Sequence, residues 1–148
     1  MSDAFFVAGV AEHCRKTVEI QREPVFLYVF EHFNPALMGY LSSLMPFQSA
    51  THTCELFYLF KKGVLGEPTM TDTERRVMDT FTTALTNFAK YGDPNGANSS
   101  ATELPVRWAQ ITKQNPHQNY VITSGQPVMS DELFEVRRTT LIMFMNDY

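Results

Sequence analysis

Residues 25–31, with the sequence VFLYVFE, constrain the fold of this chain more than any other segment. The segment follows Pro24, is rich in β-branched and aromatic residues, and lacks the polar alternation of a half-exposed strand. Such a continuous apolar run is typical of an inner strand in a parallel sheet that helices cover on both faces. A strand of this kind needs neighbouring strands to bond its backbone amides.

The rest of the chain offers several helices but few further strands. The sequence pattern predicts helices at residues 3–18, 53–61, 72–91 and 131–146, a second strand at 119–123, and a strand stub near Val128. A sheet of two or three strands does not bury VFLYVFE on both faces. The sequence therefore predicts an α/β chain with an incomplete sheet, which is part of a larger domain or needs a partner.

The helix at 72–91 has the clearest boundaries. Thr71 and Glu74 are spaced as a capping box at its start, and Gly92 followed by Pro94 ends it. Apolar residues at helical spacing predict one buried face, formed by Val77, Phe81, Leu85 and Phe88. Leu56 and Phe60, from the helix predicted at 53–61, are expected in the same core.

Residues 33–51 contain Pro35, Gly39 and Pro46 and are predicted to form a long irregular connection. Connections of this length often have a functional role.

Length and composition exclude several classes of protein. The 148 residues suffice for a single domain, taken as residues 1–148, and 44% hydrophobic with 19% charged residues is typical of a globular chain. A net charge of −4 argues against nucleic-acid binding, which requires a basic surface. No apolar run in the sequence reaches the roughly 20 residues of a transmembrane helix.

The sequence leaves the cellular location unknown. Two cysteines, Cys14 and Cys54, allow one disulfide or two buried thiols, and lack any CxxC spacing. The first residues do not resemble a signal peptide, whereas Asn98 begins a formal N-glycosylation sequon that mildly favours a secretory setting.

His52 stands at the end of the long connection, in the segment SATHTCELFYLF. A lone histidine there is most often structural or exposed. Glu55 lies one helical turn further on, but an H-x-x-E pair without a further ligand does not define a metal site. Cys54 beside a histidine is not a protease signature either. The sequence therefore predicts no metal and no cofactor.

Four segments stand out in this order along the chain: VFLYVFEHF, SATHTCELFYLF, TERRVMDTFTTALTNFAKYGDPNG and RWAQIT. Together they resemble the C-terminal portion of the type-B carboxylesterases, the family that includes the cholinesterases. VFLYVFEHF resembles a late strand of the family with its tyrosine and closing histidine, here Tyr28 and His32. SATHTCELFYLF resembles the catalytic-histidine segment, G-x-x-H-x-x-E-L-x-F-x-F. TERRVMDTFTTALTNFAKYGDPNG resembles the helix that ends in W-x-x-F-A-K-x-G-x-P-N. RWAQIT, the strand at Tyr120 and the final helix follow in the family's order.

The resemblance implies the C-terminal part of an α/β-hydrolase fold, with His52 as the catalytic histidine and His32 as a structural one. The sequence departs from the family pattern at Thr53, where glycine is common, at Leu85 in place of tryptophan, and at Ala109 in place of proline. None of these changes alters the imidazole.

The family's reaction is hydrolysis of small carboxylic esters by a serine, a histidine and a glutamate or aspartate. This sequence contains no G-x-S-x-G elbow and no glycine-rich oxyanion segment, and the resemblance implies that the family's acid is missing as well. The resemblance therefore implies a partial serine esterase that is inert as an isolated chain, with a homodimer or a separate N-terminal portion as its partner. The alternatives are a non-enzymatic, adhesion-type relative and an independent small α+β module.

Overall fold

The computed structural model describes residues 7–20, 23–39, 41–44, 49–51, 53–61, 70–98 and 100–132. Within these ranges the elements are α1 (Ala8–Ile20), β1 (Tyr28–Phe30), α2 (Pro35–Met38), α3 (Leu41–Leu44), α4 (Leu56–Phe60), α5 (Asp72–Tyr91), β2 (Asn119–Ile122) and β3 (Val128–Ser130). The predicted helix at 131–146 falls almost wholly outside the described residues. None of the helices in these ranges has the length and hydropathy of a membrane span.

The three strands form one sheet in the order β1-β2-β3. The amide of Tyr120 donates to the Leu27 carbonyl at 2.9 Å, and the amides of Glu31 and His32 donate to the Ile122 carbonyl at 2.9 and 3.1 Å. Because both residue numbers rise together along this ladder, β1 and β2 are parallel. Only five residues, 123–127, separate β2 from β3, so that pair is antiparallel.

The strand predicted at 25–31 is shorter in the structure, because regular pairing is confined to Tyr28–Phe30. Tyr28 is exposed, and Val29 and Phe30 are half-buried. The described strands pair β1 along one edge only, as expected for an incomplete sheet. The predicted irregular connection also contains two single-turn helices, α2 and α3. Asn34 caps α2, because its side chain accepts a hydrogen bond from the Ala36 amide.

Helix α5 has the predicted bounds. The capping box forms, since the amide and the hydroxyl of Thr71 both donate to the Glu74 carboxylate. Gly92 ends the helix at a φ of 71°, which glycine adopts without steric penalty. Val77 and Phe81 are buried as predicted, but Phe88 is 46% exposed. The neighbouring Asn87 is buried instead of Phe88. Its side-chain amide donates hydrogen bonds to the Pro94 carbonyl and the Glu103 carboxylate in the loop that follows α5.

The chain divides into two compact units. The first comprises the described parts of residues 1–28, 108–120 and 129–148, and its core is aromatic. In that core Trp108 stacks on Tyr120 with ring centroids 4.9 Å apart, while Phe26 and Tyr28 meet the indole edge-on. The second unit comprises the described parts of residues 29–107 and 121–128. It contains α4, α5 and the segment that carries the candidate functional residues.

Candidate functional site

Two backbone hydrogen bonds join described residues next to the predicted catalytic histidine in sequence. The Cys54 amide donates to the Thr51 carbonyl, and the Leu56 amide donates to the Thr53 carbonyl, both at 3.1 Å. These bonds close a turn from Thr51 to Cys54 that leads directly into α4. His52 itself lies outside the described residues, so its catalytic role stays a prediction.

Thr53 has a φ of 71° within this turn. The third position of several turn types requires a positive φ and therefore favours glycine, whereas a β-branched residue is strained there. The resemblance to the esterases gave glycine as the common residue at this position. The structure thus supplies a physical reason for that preference.

Replacing Thr53 with glycine is expected to raise the free energy of unfolding by about 1 kcal/mol. Relief of a strained positive φ is worth on the order of 1–3 kcal/mol, and the greater entropy of glycine in the unfolded chain offsets part of it. Urea denaturation followed by circular dichroism measures the change. Thr51→Gly is the matched control, because Thr51 has no positive φ, and it should destabilise the protein. Equal destabilisation by both changes would show that Thr53 is unstrained.

Helix α4 packs on α5 through a different face from the one expected. Phe57 and Tyr58 are buried, whereas Leu56 and Phe60, which the sequence favoured for the core, are 41% and 71% exposed. The ring of Tyr58 lies 5.3 Å from that of Phe30. The buried side of α4 therefore adjoins the last residue of β1.

His32, two residues beyond β1, is the centre of a buried polar cluster in the second unit. Only 3% of the residue is exposed. Its Nδ1 lies 2.8 Å from Oγ of Ser124, in the connection between β2 and β3. Its Nε2 lies 3.4 Å from Oε1 of Glu74 on α5, which is close enough for an electrostatic contact but without the alignment of a hydrogen bond. The ring also meets Tyr58 edge-on at 5.3 Å.

Burial sets the charge states in this cluster. Burial lowers the pKa of His32, against the opposing effect of the Glu74 charge, so the net pKa lies below its ordinary value. Burial acts to raise the pKa of Glu74, but hydrogen bonds from Thr71 and from backbone amides outweigh it and leave that pKa low. Burial, with the negative charge of Glu74, raises the pKa of Tyr58 well above its ordinary value. At neutral pH the cluster therefore holds a neutral imidazole beside an ionised carboxylate.

The charge of Glu74 also selects the tautomer of His32. A ring nitrogen that faces an ionised carboxylate is favoured in its protonated form, since its lone pair would be repelled. Nε2 therefore carries the hydrogen, and Nδ1 is the acceptor that faces the Ser124 hydroxyl. The resemblance gave His32 as a structural position of the family, and that role stays a prediction. The sequence did not associate His32 with Glu74 or Ser124, because these residues are far apart along the chain and no local spacing connects them.

An open groove of about 260 Å³ lies in the same unit, between α5 and the β2–β3 connection. Its walls include Val77 and Thr80 on the helix and Pro105. They also include Thr123 and Gly125, the two residues on either side of Ser124.

Among the described residues, no three histidines, cysteines or carboxylates are grouped as a metal site. Cys14 and Cys54 are free thiols, and burial raises the pKa of each.

Comparisons with known proteins agree with the resemblance. The model of the carboxylesterase family matches residues 1–139. Esterase cest-33 of Caenorhabditis elegans is 36% identical over 137 residues, which are 93% of this chain and 24% of that protein. The chain thus spans about a quarter of the length of the curated relative that it matches.

Solved esterase structures show the same fold. A thermophilic pNB esterase aligns with a TM-score of 0.58 at 23% identity, over 80% of this chain and 22% of its own. The carboxylesterase Est55 of Geobacillus stearothermophilus aligns with a TM-score of 0.53 at 21% identity, with the same coverage. The fold is therefore part of an α/β-hydrolase fold, as the sequence predicted.

Proposed function

The chain belongs to the carboxylesterase family, and we propose that it supplies the catalytic histidine, His52, of an ester-hydrolysing site whose other parts lie on another polypeptide segment. The family match over residues 1–139 carries this proposal. The sequence contains the histidine segment but no G-x-S-x-G elbow, and its span is about a quarter of the relative's length. Small carboxylic esters are the substrate class.

In the assembled site the imidazole of His52 accepts the proton of the nucleophilic serine as the hydroxyl oxygen attacks the ester carbonyl. It then returns that proton to the departing alcohol. A carboxylate on the second segment orients the ring, and backbone amides there stabilise the tetrahedral oxyanion. In this chain, backbone hydrogen bonds join Thr51 to Cys54 and Thr53 to Leu56, the described residues nearest to His52 in sequence.

The proposal predicts that the isolated chain has no saturable ester turnover, since triad members act as a unit. Hydrolysis of an aryl acetate should be no faster than with free imidazole at the same concentration. Adding the N-terminal part of a related esterase, as a separate chain or a fusion, should produce saturable hydrolysis. His52→Ala in that complex should then lower kcat by about 10,000-fold.

His13→Ala is the matched control, because His13 is an exposed histidine on α1, and it should leave kcat unchanged. Full activity of the folded complex after His52→Ala would show that His52 is structural. A folded complex that hydrolyses no ester would favour the adhesion-type alternative. Saturable turnover by the isolated chain, abolished by His52→Ala, would show that the chain holds a complete site.

A further inference from the structure

The cluster around His32 has the composition of a serine hydrolase triad, although it is separate in sequence from the His52 segment. Ser124 is exposed, whereas His32 and Glu74 are 3% and 4% exposed. A buried imidazole and a buried carboxylate thus lie next to an exposed serine residue, whose Oγ makes a part-buried contact with the ring. Ser124, His32 and Glu74 all belong to the second unit.

The geometry suits proton transfer from Ser124. Its Oγ lies 2.8 Å from Nδ1 of His32, which is within the range for a general base and its nucleophile. Nδ1 is the nitrogen left unprotonated when Nε2–H faces the Glu74 carboxylate 3.4 Å away. The order serine, imidazole, carboxylate is that of a triad, with the roles of the two ring nitrogens exchanged relative to the usual arrangement.

We propose that Ser124 is a nucleophile, with His32 as its general base and Glu74 as the group that orients the imidazole, and that it forms a covalent adduct with activated esters and phosphonyl compounds. With a fluorophosphonate, Oγ bonds to phosphorus as the P–F bond breaks, and the serine proton passes through Nδ1 of His32 to leave with fluoride as HF. With an aryl ester, Oγ bonds to the carbonyl carbon and the phenol leaves with that proton, in a single acylation of each chain that is not followed by turnover.

The surroundings of Ser124 define which reagents fit. Its neighbours Thr123 and Gly125 line the groove of about 260 Å³. The other walls include the apolar Val77 and Pro105 and the charged Arg76 and Asp79, and a small acyl or alkyl group can lie against the apolar part. The Gly125 amide, which follows the serine, donates to Oγ1 of Thr123 at 3.1 Å. It is therefore engaged and contributes little to an oxyanion. Activated reagents, which need less stabilisation of the oxyanion, are the expected class.

Labelling of the full-length chain with a fluorophosphonate probe tests the proposal. Peptide mass spectrometry should place the adduct on Ser124, and its rate there should exceed that at Ser100 by about 100-fold, the lower range for general-base catalysis. Ser100 is an exposed serine of the same unit and serves as the internal reference. Ser124→Ala should remove the adduct, and His32→Gln should lower the Ser124 rate to that of Ser100.

The pH profile supplies a second readout that does not depend on a His32 variant folding. The titratable groups that face the His32 ring are Glu74 from α5 and Tyr58 from α4. Because burial lowers the pKa of the imidazole from its ordinary value of 6.5, the labelling rate of the wild-type chain should have its midpoint below pH 6.5 and be flat from pH 7.5 to pH 8. Equal labelling of Ser124 and Ser100, or a rate that rises with hydroxide throughout this range, would overturn the proposal. Neither result bears on His52 or on complementation.

Discussion

Truncation of Phe81 to alanine is expected to lower the free energy of unfolding by about 3–5 kcal/mol, the usual cost of removing a buried phenylalanine. Phe81 is fully buried on α5. Its ring lies 5.6 Å from that of Phe30, the last residue of β1. The change leaves a cavity between the helix and the strand that the close-packed surroundings fill only in part. Urea denaturation monitored by circular dichroism and tryptophan fluorescence measures the loss.

Phe88→Ala is the matched control for this prediction. Phe88 is seven residues further along the same helix, on the stripe that the sequence predicted as buried, yet it is 46% exposed. Its truncation should cost about 1–2 kcal/mol in the isolated chain, clearly less than the loss at Phe81, because roughly half of the Phe88 surface is already in contact with solvent. Similar losses from both variants would contradict the packing of α5 seen in the structure.

Much of the fold could be predicted from local sequence. The bounds of α5 follow from a capping box and a glycine stop, which act within a few residues of the helix ends. The strand near Tyr120 and the stub at Val128 are confirmed as β2 and β3. The exposed positions of Leu56, Phe60 and Phe88 could not be foreseen, since helical spacing shows which residues share a face and not what covers that face.

Of the two candidate sites, one was predicted from a local sequence motif and the other could not be predicted from sequence. His52 was predicted by resemblance to a contiguous motif, and it stays a prediction because it lies outside the described residues. The turn that flanks it gives Thr53 the positive φ that explains the family's glycine. The cluster of Glu74, His32 and Ser124 depends on tertiary packing alone. His32 follows β1, Glu74 lies in the first turn of α5, and Ser124 follows β2. Because these residues are far apart along the chain, no sequence spacing connects them.

Acidification from pH 7.5 to pH 5 is expected to destabilise the protein through His32. The pKa of this buried imidazole is lower in the folded protein than in the unfolded chain. Between those two values the unfolded chain binds the proton and the folded protein does not, so stability falls as the pH falls. The slope is at most about 1.4 kcal/mol per pH unit for one such group. The contribution of Glu74 has the same sign at lower pH, because its folded pKa is also depressed.

Urea denaturation midpoints at pH 7.5, 6 and 5 measure this dependence in the wild type and in His32→Gln. The variant should be less stable at pH 7.5, because it removes the hydrogen-bond partner of Ser124, and its stability should change less between pH 7.5 and 5. His13→Gln, at an exposed position on α1, should keep the wild-type slope. A wild type that becomes more stable on acidification would mean that the Glu74 carboxylate holds His32 protonated. Nδ1 would then carry a hydrogen, and His32 would be unable to act as the base for Ser124.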